Sequence, residues 1–345
     1  MYFCIAEQEL TEFPYRCQVG SHLWINSYYD VDRDTLFGYR LAEHGGNFVE
    51  FEFGGDEEEV TVRFSFYKDF NLGFSKGIIL TNIGKYIDTV MSPLTVSFYC
   101  HNQMGVNWQL YKKIKSAIAP EIKTWEQVLD SIEQQLLSNL KTCSNLGHET
   151  QIAFSGGLDS STLAFLALHH QVEFTGVVAN HTRCYFKQLP FDVVYSDTQE
   201  TIDYPYSQLD NIKPAFYNTN NLITGYYGDL ALLHHGELYA QSSKLVNQTF
   251  DCYDTATYLP EHTFDNVNSL RSAIVKLHSQ PMFHQWFGDF QIIDPYRDPE
   301  LFLTVLSLST DDLVKQLATG QLQKDLISRW NPDWLSYICK HKNEY

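Results

Sequence analysis

The chain lacks several features that would place it in whole classes of protein. It has only 24 lysines and arginines against 42 aspartates and glutamates in 345 residues, a formal net charge of −18. Proteins that bind nucleic acid carry basic patches, because the phosphate backbone is a dense line of negative charge. No cluster of lysine or arginine occurs here, so nucleic acid is not expected as a partner.

Paired cysteines and long apolar segments are also missing. The seven cysteines are scattered, odd in number and without a Cys-x-x-Cys pair, so neither a disulfide framework nor a cysteine-based zinc site is predicted. No apolar stretch approaches the length of a membrane-spanning helix, and the first residues lack the pattern of a signal peptide. We therefore expect a cytoplasmic protein without a membrane partner, whose oligomeric state the sequence leaves open.

Strand patterns dominate the first part of the chain. Residues 60–67 alternate between apolar and polar side chains, and residues 77–81 are a second strand candidate. A linker-like region lies around residues 102–120. We predict a β-rich domain over residues 1–115 and a second domain over residues 116–345, which a chain of this length can form.

The second domain begins with a helix and continues as an α/β pattern. Residues 124–143 carry apolar side chains at helical spacing, and Thr124 with Gln127 suits a capping box. From Gln151 the order strand, turn, helix, strand predicts a mainly parallel sheet with helices on both faces. Residues after about 261 are predicted to be mostly helical.

The most informative segment is a glycine turn between a short apolar strand and a helix. Such a turn directs backbone N–H groups toward one spot at the positive end of a helix, which makes an anion site, and phosphate is the anion that we expect. Asp159 repels a phosphate unless it holds a Mg²⁺ ion that bridges the phosphates. The predicted nucleotide-binding residues of this turn are Ser155, Gly156, Gly157, Leu158, Asp159, Ser160 and Ser161.

A second glycine turn follows a later apolar strand. Residues 222–230 again read as strand, turn and acidic residue, with Gly225, Gly228 and Asp229 in the turn. Turns at the carboxyl ends of parallel strands share one crevice. Asp229 is therefore predicted to face Asp159 across the phosphates, and the two carboxylates are the predicted ligands of Mg²⁺.

These strings resemble those of a known family. The turn after Phe154 has no Gly-Lys-Ser/Thr ending and is instead similar to the pyrophosphate loop (PP-loop) of ATP pyrophosphatases. Together with residues 224–229 it resembles the synthetase domain of the asparagine synthetase and β-lactam synthetase family, to which the lasso-peptide cyclases are similar. Residues 294–301, Gly320 and Lys324 resemble the C-terminal helical region of that family. The resemblance implies an adenine nucleotide α-hydrolase-like fold.

The resemblance also implies an activity and residue roles. Family members adenylate a carboxylate with ATP, release pyrophosphate and let an amine attack the adenylate, which makes an amide-bond ligase that uses ATP and Mg²⁺. Lys324 matches the catalytic lysine, although Lys315 lies on the same segment. Tyr226 matches a tyrosine that deprotonates the amine together with a glutamate, and it favours lactam or macrolactam closure. That glutamate is assigned to Glu261, with Glu237 as second choice.

The N-terminal part lacks the nucleophile of glutamine hydrolysis. In asparagine synthetases a cysteine becomes the first residue after removal of the initiator methionine, whereas Tyr2 stands at that position here and Cys4 lies two residues further on. The first domain is also short for a glutaminase domain. It is therefore interpreted as a degenerate sandwich of the N-terminal nucleophile (Ntn) type that serves as a scaffold, and the amine or ammonia comes from the substrate.

The sequence leaves two alternative functions open, and it argues against one possible metal site. The chain could be a PP-loop enzyme that adenylates a nucleoside or nucleic acid, or a non-catalytic nucleotide-binding regulator. Otherwise its partners are a small-molecule or peptide carboxylate and an amine, whose identities the sequence does not give. The adjacent histidines His169 and His170 are not predicted to form a two-histidine metal site, because neighbours on a helix point to different faces.

Overall fold

The computed structural model divides the chain into two compact units. Unit 1 comprises Met1–Lys115 with Ser279–Gln285, and unit 2 comprises Ser116–His278 with Trp286–Tyr345. The structure describes residues 3–19, 23–31, 35–41, 45–54, 59–65, 72–75, 78–81, 85, 89–91, 95–99, 103–107, 118–146, 149–179, 188–196, 221–251, 263–278 and 291–338.

Unit 1 is built from antiparallel strands in two sheets. The first sheet has the strand order β2-β3-β1-β8-β7-β9 and the second has the order β11-β10-β6-β5-β4. The strands are β1 Phe3–Ala6, β2 Tyr15–Val19, β3 Leu23–Ser27, β4 Thr35–Arg40, β5 Gly46–Phe53, β6 Glu59–Phe64, β7 Leu72–Ser75, β8 Ile78–Thr81, β9 Thr89–Met91, β10 Thr95–Tyr99 and β11 Gln103–Asn107.

The two sheets of unit 1 share one apolar core. Phe3 of β1 meets Phe51 of β5 edge to face, with ring centroids 5.5 Å apart, and it stacks on Phe64 of β6. Alternation along a strand sends every second side chain into such a core, as residues 60–64 were predicted to do. Cys4 lies within β1 and is fully buried between its neighbours β3 and β8.

Unit 2 contains a parallel sheet of five strands with the order β14-β13-β12-β15-β16. Its strands are β12 Gln151–Ala153, β13 Thr175–Ala179, β14 Val193–Ser196, β15 Asn221–Ile223 and β16 Gln291–Ile293. After β12 the chain adds β13 and β14 on one side, and β15 and β16 follow on the other. The strand order therefore reverses at β12 and β15, and such a switch point opens a crevice at the carboxyl ends of the strands.

Eight α-helices of unit 2 lie in the described ranges. They are α1 Trp125–Ser144, α2 Leu158–His169, α3 Gly228–Ala231, α4 Gly236–Ser242, α5 Val267–His278, α6 Pro299–Leu306, α7 Thr310–Thr319 and α8 Gln321–Trp330. The predicted capping box of α1 is confirmed, because Thr124 accepts a hydrogen bond from the Gln127 backbone N–H and the Gln127 side chain accepts one from the Thr124 backbone N–H.

The α/β class with a parallel sheet and a β-rich N-terminal region is confirmed. Strands β14 and β16 are additions that the sequence did not predict, and β16 interrupts a region that was expected to be mostly helical. Within the residues described above, no helix combines the length and the apolar character that crossing a membrane requires.

Candidate functional site

The first loop joins β12 to α2 through a turn that is braced by its own serines. Gly156 has φ +75°, a left-handed conformation that glycine adopts without strain. The Gly157 backbone N–H donates to Ser155 Oγ at 3.2 Å, and Ser160 Oγ donates to the Gly157 carbonyl oxygen at 3.1 Å. Ser155 and Ser160, predicted as donors to a ligand, thus also hold the shape of the turn.

The same loop leaves polar groups at the start of α2. Gly157 is the N-cap and provides no side-chain cap, so the first N–H groups of the helix depend on other acceptors. Ser161 is fully buried, and in the described part of the chain its hydroxyl has no hydrogen-bond partner. A buried polar group without a partner is rare in proteins and needs an explanation.

The second loop, which follows β15, touches the first. A Cβ atom added to Gly225 would lie 2.9 Å from the Ser160 backbone nitrogen, and one added to Gly228 would overlap the Asp159 side chain. Only glycine allows this approach, because any other residue would force the two loops apart. The predicted convergence of the two turns at neighbouring strand ends is thus observed.

Asp159 and Asp229 lie on the two loops that touch, and their charges interact. The Asp159 side chain is half-buried and accepts a hydrogen bond from Gln323 Nε2 at 3.1 Å, whereas the Asp229 side chain is exposed. Burial and the charge of Asp229 raise the pKa of Asp159 from 3.8 to about 8; the Gln323 hydrogen bond opposes this shift, and Asp294 adds to it. Like charges this close favour protonation of one partner unless a cation neutralises them.

A third loop, which the sequence did not single out for binding, supports the other two. Asp294 follows β16, is buried, and accepts hydrogen bonds from Thr224 Oγ1 at 3.2 Å and from the backbone N–H groups of Tyr227 and Tyr296 at 2.9 Å each. Burial raises the pKa of Asp294 to about 7 against the lowering effect of these bonds. Tyr296 in turn donates its hydroxyl to the Asp159 carbonyl oxygen at 3.1 Å.

Tyr226 lies between the two glycines that touch the first loop. Its half-buried ring is 5.7 Å from the ring of Tyr227, which is buried. The Arg297 guanidinium lies over the Tyr227 ring at 4.3 Å and also donates to the Tyr227 hydroxyl. Tyr226 is thereby placed beside the meeting point of the loops, next to a tyrosine that is fixed.

A buried pair of amides, Gln316 of α7 and Gln323 of α8, reaches Asp159 through Gln323. Gln323 and Gln316 are both fully buried, and Gln316 Nε2 donates to Gln323 Oε1 at 2.9 Å and to the Leu232 carbonyl oxygen at 2.7 Å. Neither glutamine was predicted, because neutral amides in a helical pattern resemble any solvated face. Lys324, the predicted catalytic lysine, is half-buried and directly follows Gln323.

Of the remaining predicted residues, two are described by the structure and one is not. Lys315, the alternative to Lys324, lies over the Trp125 ring at 5.0 Å. Glu261, the predicted partner of Tyr226, lies outside the described residues. Glu237, the second choice, is exposed in the first turn of α4.

The premise that the His169 and His170 side chains point to different faces is wrong, whereas the absence of a metal site there stays a prediction. Nitrogen atoms of both imidazoles and a carboxylate oxygen of Glu133 all lie within 4.8 Å of one another. The regular helix ends at His169, and His170 leaves helical geometry with φ −91° and ψ 12°. The rule that helical neighbours point to different faces therefore does not hold at this terminus.

Comparison with known proteins assigns the chain to no family. Models of known protein families gave no match, and curated protein sequences gave none either.

Proposed function

We propose that the chain is an ATP-dependent amide-bond ligase that adenylates a carboxylate, releases pyrophosphate and passes the acyl group to an amine. The observation that carries this proposal is the contact between the two glycine loops at the switch point of the parallel sheet, which brings Asp159 against Gly228 and beside Asp229. A nucleotide α-hydrolase-like arrangement of unit 2 and a degenerate Ntn-type sandwich in unit 1 belong to the same proposal.

The first loop suits the binding of the pyrophosphate portion of ATP. The loop lies at the positive end of α2, and the helix has no side-chain cap to compete with an anion. The internal bonds of Ser155 and Ser160 keep the turn preorganised, so that little entropy is lost when the ligand binds.

Asp159 and Asp229 fit a divalent cation. Two neighbouring carboxyl groups offer hard oxygens, and a bound cation would favour the ionised form of Asp159, whose pKa is raised. Mg²⁺ bound there would neutralise the β- and γ-phosphates and make pyrophosphate a better leaving group. Gln323 orients Asp159 through its hydrogen bond and leaves the second carboxylate oxygen, Oδ2, for a ligand.

The remaining groups serve the two transfer steps. In the first, a carboxylate oxygen attacks the α-phosphorus and the bond to pyrophosphate breaks; in the second, the amine attacks the acyl carbon, AMP leaves and the amine loses a proton. Lys324, on the helix that contacts Asp159, supplies a compact positive charge for the phosphates. Tyr226 takes the proton of the amine, and because a free tyrosine has a pKa of about 10, it must pass its own proton to a carboxylate such as that of Glu261.

The N-terminal unit is proposed to act as a scaffold without glutaminase activity. Cys4 is fully buried inside β1, so it cannot act as an exposed N-terminal nucleophile in this arrangement. The amine is then part of the substrate, or free ammonia, and its identity follows from the carboxylate that the enzyme accepts.

The test is to identify the products of ATP turnover. The full chain is incubated with ATP, Mg²⁺ and a panel of amino acids and peptides, and AMP, ADP, phosphate and pyrophosphate are quantified. We expect AMP and pyrophosphate in equal amounts, and we expect Asp159→Ala to lower the rate at least about a hundredfold, as loss of a metal ligand does. Asp251→Ala, which removes an exposed carboxylate outside the three loops, is the matched control.

Two outcomes would replace the proposal. Formation of ADP and phosphate contradicts cleavage between the α- and β-phosphates. Tight binding of Mg-ATP without turnover across the panel favours the non-catalytic regulator. Isothermal titration of the full chain with Mg-ATP therefore accompanies the product assay.

A further inference from the structure

A second cluster of metal-ligating side chains lies at the far end of α2 from the first loop. The helix has 12 residues and is thus about 18 Å long. At its carboxyl end His170 Nε2 lies 3.0 Å from Oε1 of Glu133, which belongs to α1. His169 Nδ1 or Nε2 completes a set of three donor atoms within 4.8 Å of one another.

Side chains of α8 donate hydrogen bonds to the Glu133 carboxylate of this cluster. Trp330 Nε1 donates to Glu133 Oε1 at 2.8 Å, and Arg329 donates to Glu133 Oε2 at 3.4 Å. The His169 ring stacks on the Trp330 ring, with centroids 5.8 Å apart and planes 20° apart. Metal-binding carboxylates in proteins are oriented by such surrounding donors, which fix the first ligands in place.

The electrostatic surroundings favour a cation. Glu126, Asp130 and Glu133 lie on one face of α1 at helical spacing, and Arg329 contacts all three. One guanidinium cannot neutralise three carboxylates, so negative charge remains. The carboxyl end of α2 adds the partial negative charge of its helix dipole at the two histidines.

We propose that Glu133, His169 and His170 form a site for a transition-metal cation of the zinc type, which joins the middle of α1 to the carboxyl end of α2. Two imidazole nitrogens and one carboxylate oxygen are a donor set that Zn²⁺ binds and that Mg²⁺ and Ca²⁺ do not favour. Water fills the fourth position of a tetrahedral ion, because His169 is exposed and solvent reaches the cluster. The role is structural, and it does not depend on the proposed ligase activity.

The second imidazole distinguishes a metal site from an ordinary ion pair. A contact between His170 and Glu133 alone needs no metal, and a metal-free network with Trp330 and Arg329 would hold it together. A chelate needs His169 as well. His169→Ala is therefore the decisive variant, and since this side chain is exposed, the variant is expected to fold.

The experiment is a titration of the chelator-treated full chain with Zn²⁺, followed by calorimetry, tryptophan fluorescence and thermal unfolding. We expect one Zn²⁺ per chain, a change in fluorescence from Trp330, and a rise in the unfolding temperature. His169→Ala and Glu133→Gln should each weaken binding at least about tenfold. His235→Ala and Glu173→Gln, which remove an imidazole and a carboxylate outside the cluster, should leave binding unchanged.

Three results would overturn the proposal. Absence of saturable Zn²⁺ binding excludes the site. Binding that His169→Ala leaves unchanged assigns the metal to other residues, and equal losses in His169→Ala and His235→Ala mean adventitious binding to histidines in general. Trp330→Phe separates the parts of the site: it should abolish the fluorescence change and keep one Zn²⁺ per chain with weaker affinity.

Discussion

Asp159 is the residue whose ionisation is most altered by the fold. Its carboxyl lies against Gly228, beside Asp229 and below the amide of Gln323, and its pKa is raised to about 8 by burial and by the neighbouring charges. Such a group is costly to ionise in the protein alone. The fold retains an acidic residue where an amide would be easier to accommodate, which is typical of a site that a cation completes.

The pH dependence of stability tests this assignment. Between about pH 4 and pH 8 the folded state holds a proton on Asp159 that the unfolded state releases, so the free energy of unfolding should fall as the pH rises through this window. Asp159→Asn should flatten the dependence, and the residual slope comes from Asp294, whose pKa is raised to about 7.

Urea unfolding at pH 5 and pH 8 measures the effect. Asp229→Asn is a partial control, because it removes the second cause of the shift but not the burial. At pH 8, Mg²⁺ should stabilise the natural chain and not Asp159→Asn. Equal slopes for the natural chain and Asp159→Asn would show that this carboxyl titrates normally.

At the scale of elements, the sequence predicted those that have strong local patterns. The capping residues of α1, the turn after β12 and the helix that follows it were all predictable, because each depends on side chains a few positions apart. Strand β16 was missed, since its three residues give no periodicity and no glycine turn follows them as one follows β12 and β15. Because β16 was not predicted, Asp294 was not recognised as a site residue. It reaches the site because β16 pairs with β15.

The corner between α7 and α8 holds the first loop by hydrogen bonds that no pattern predicts. Gln316 Oε1 accepts from the Leu322 backbone N–H at 2.8 Å, while its Nε2 group contacts Gln323. Both amides are buried and each bond depends on the other, so the pair acts as a unit. The hydrogen-bonded link from α7 through Gln323 to Asp159 joins residues far apart in the sequence, so it could not be predicted from local patterns.

Replacement of Gln323 by leucine tests this link. The variant leaves Gln316 Nε2 with one fewer acceptor and Asp159 without its donor, and it should lower the free energy of unfolding by about 1–3 kcal/mol. It should also raise the Mg²⁺ concentration that gives half-maximal ATP turnover. Gln321→Leu on the same helix breaks a bond to Asp325 instead and is the control. An unchanged Mg²⁺ requirement in Gln323→Leu would mean that Gln323 has only a packing role.

At the scale of the whole molecule, charge limits the range of substrates. A net charge of −18 repels polyanions at distances where no specific contact yet forms, so a long nucleic acid would meet an unfavourable field. The proposed ATP substrate would differ, because it would bind in a local crevice at the positive end of α2, where a bound cation would oppose the global field.

Binding of polyanions provides the corresponding prediction. Labelled duplex DNA and a structured RNA should show no anisotropy change with the full chain at about 0.15 M salt, where the screening length is about 8 Å. Mg-ATP should bind under the same conditions. Salt-dependent binding of either nucleic acid would support the alternative in which a nucleic acid receives the adenylate.

The contact between Gly225, Gly228 and the first loop has a consequence for inheritance. With no room for a side chain between the two turns, neither can drift in sequence independently of its neighbour. A lineage that gained bulk at either glycine would have to rebuild both turns at once, so descendants should keep the two motifs together or lose them together. Co-occurrence of the pair in distant chains is therefore a better guide to shared ancestry than either motif alone.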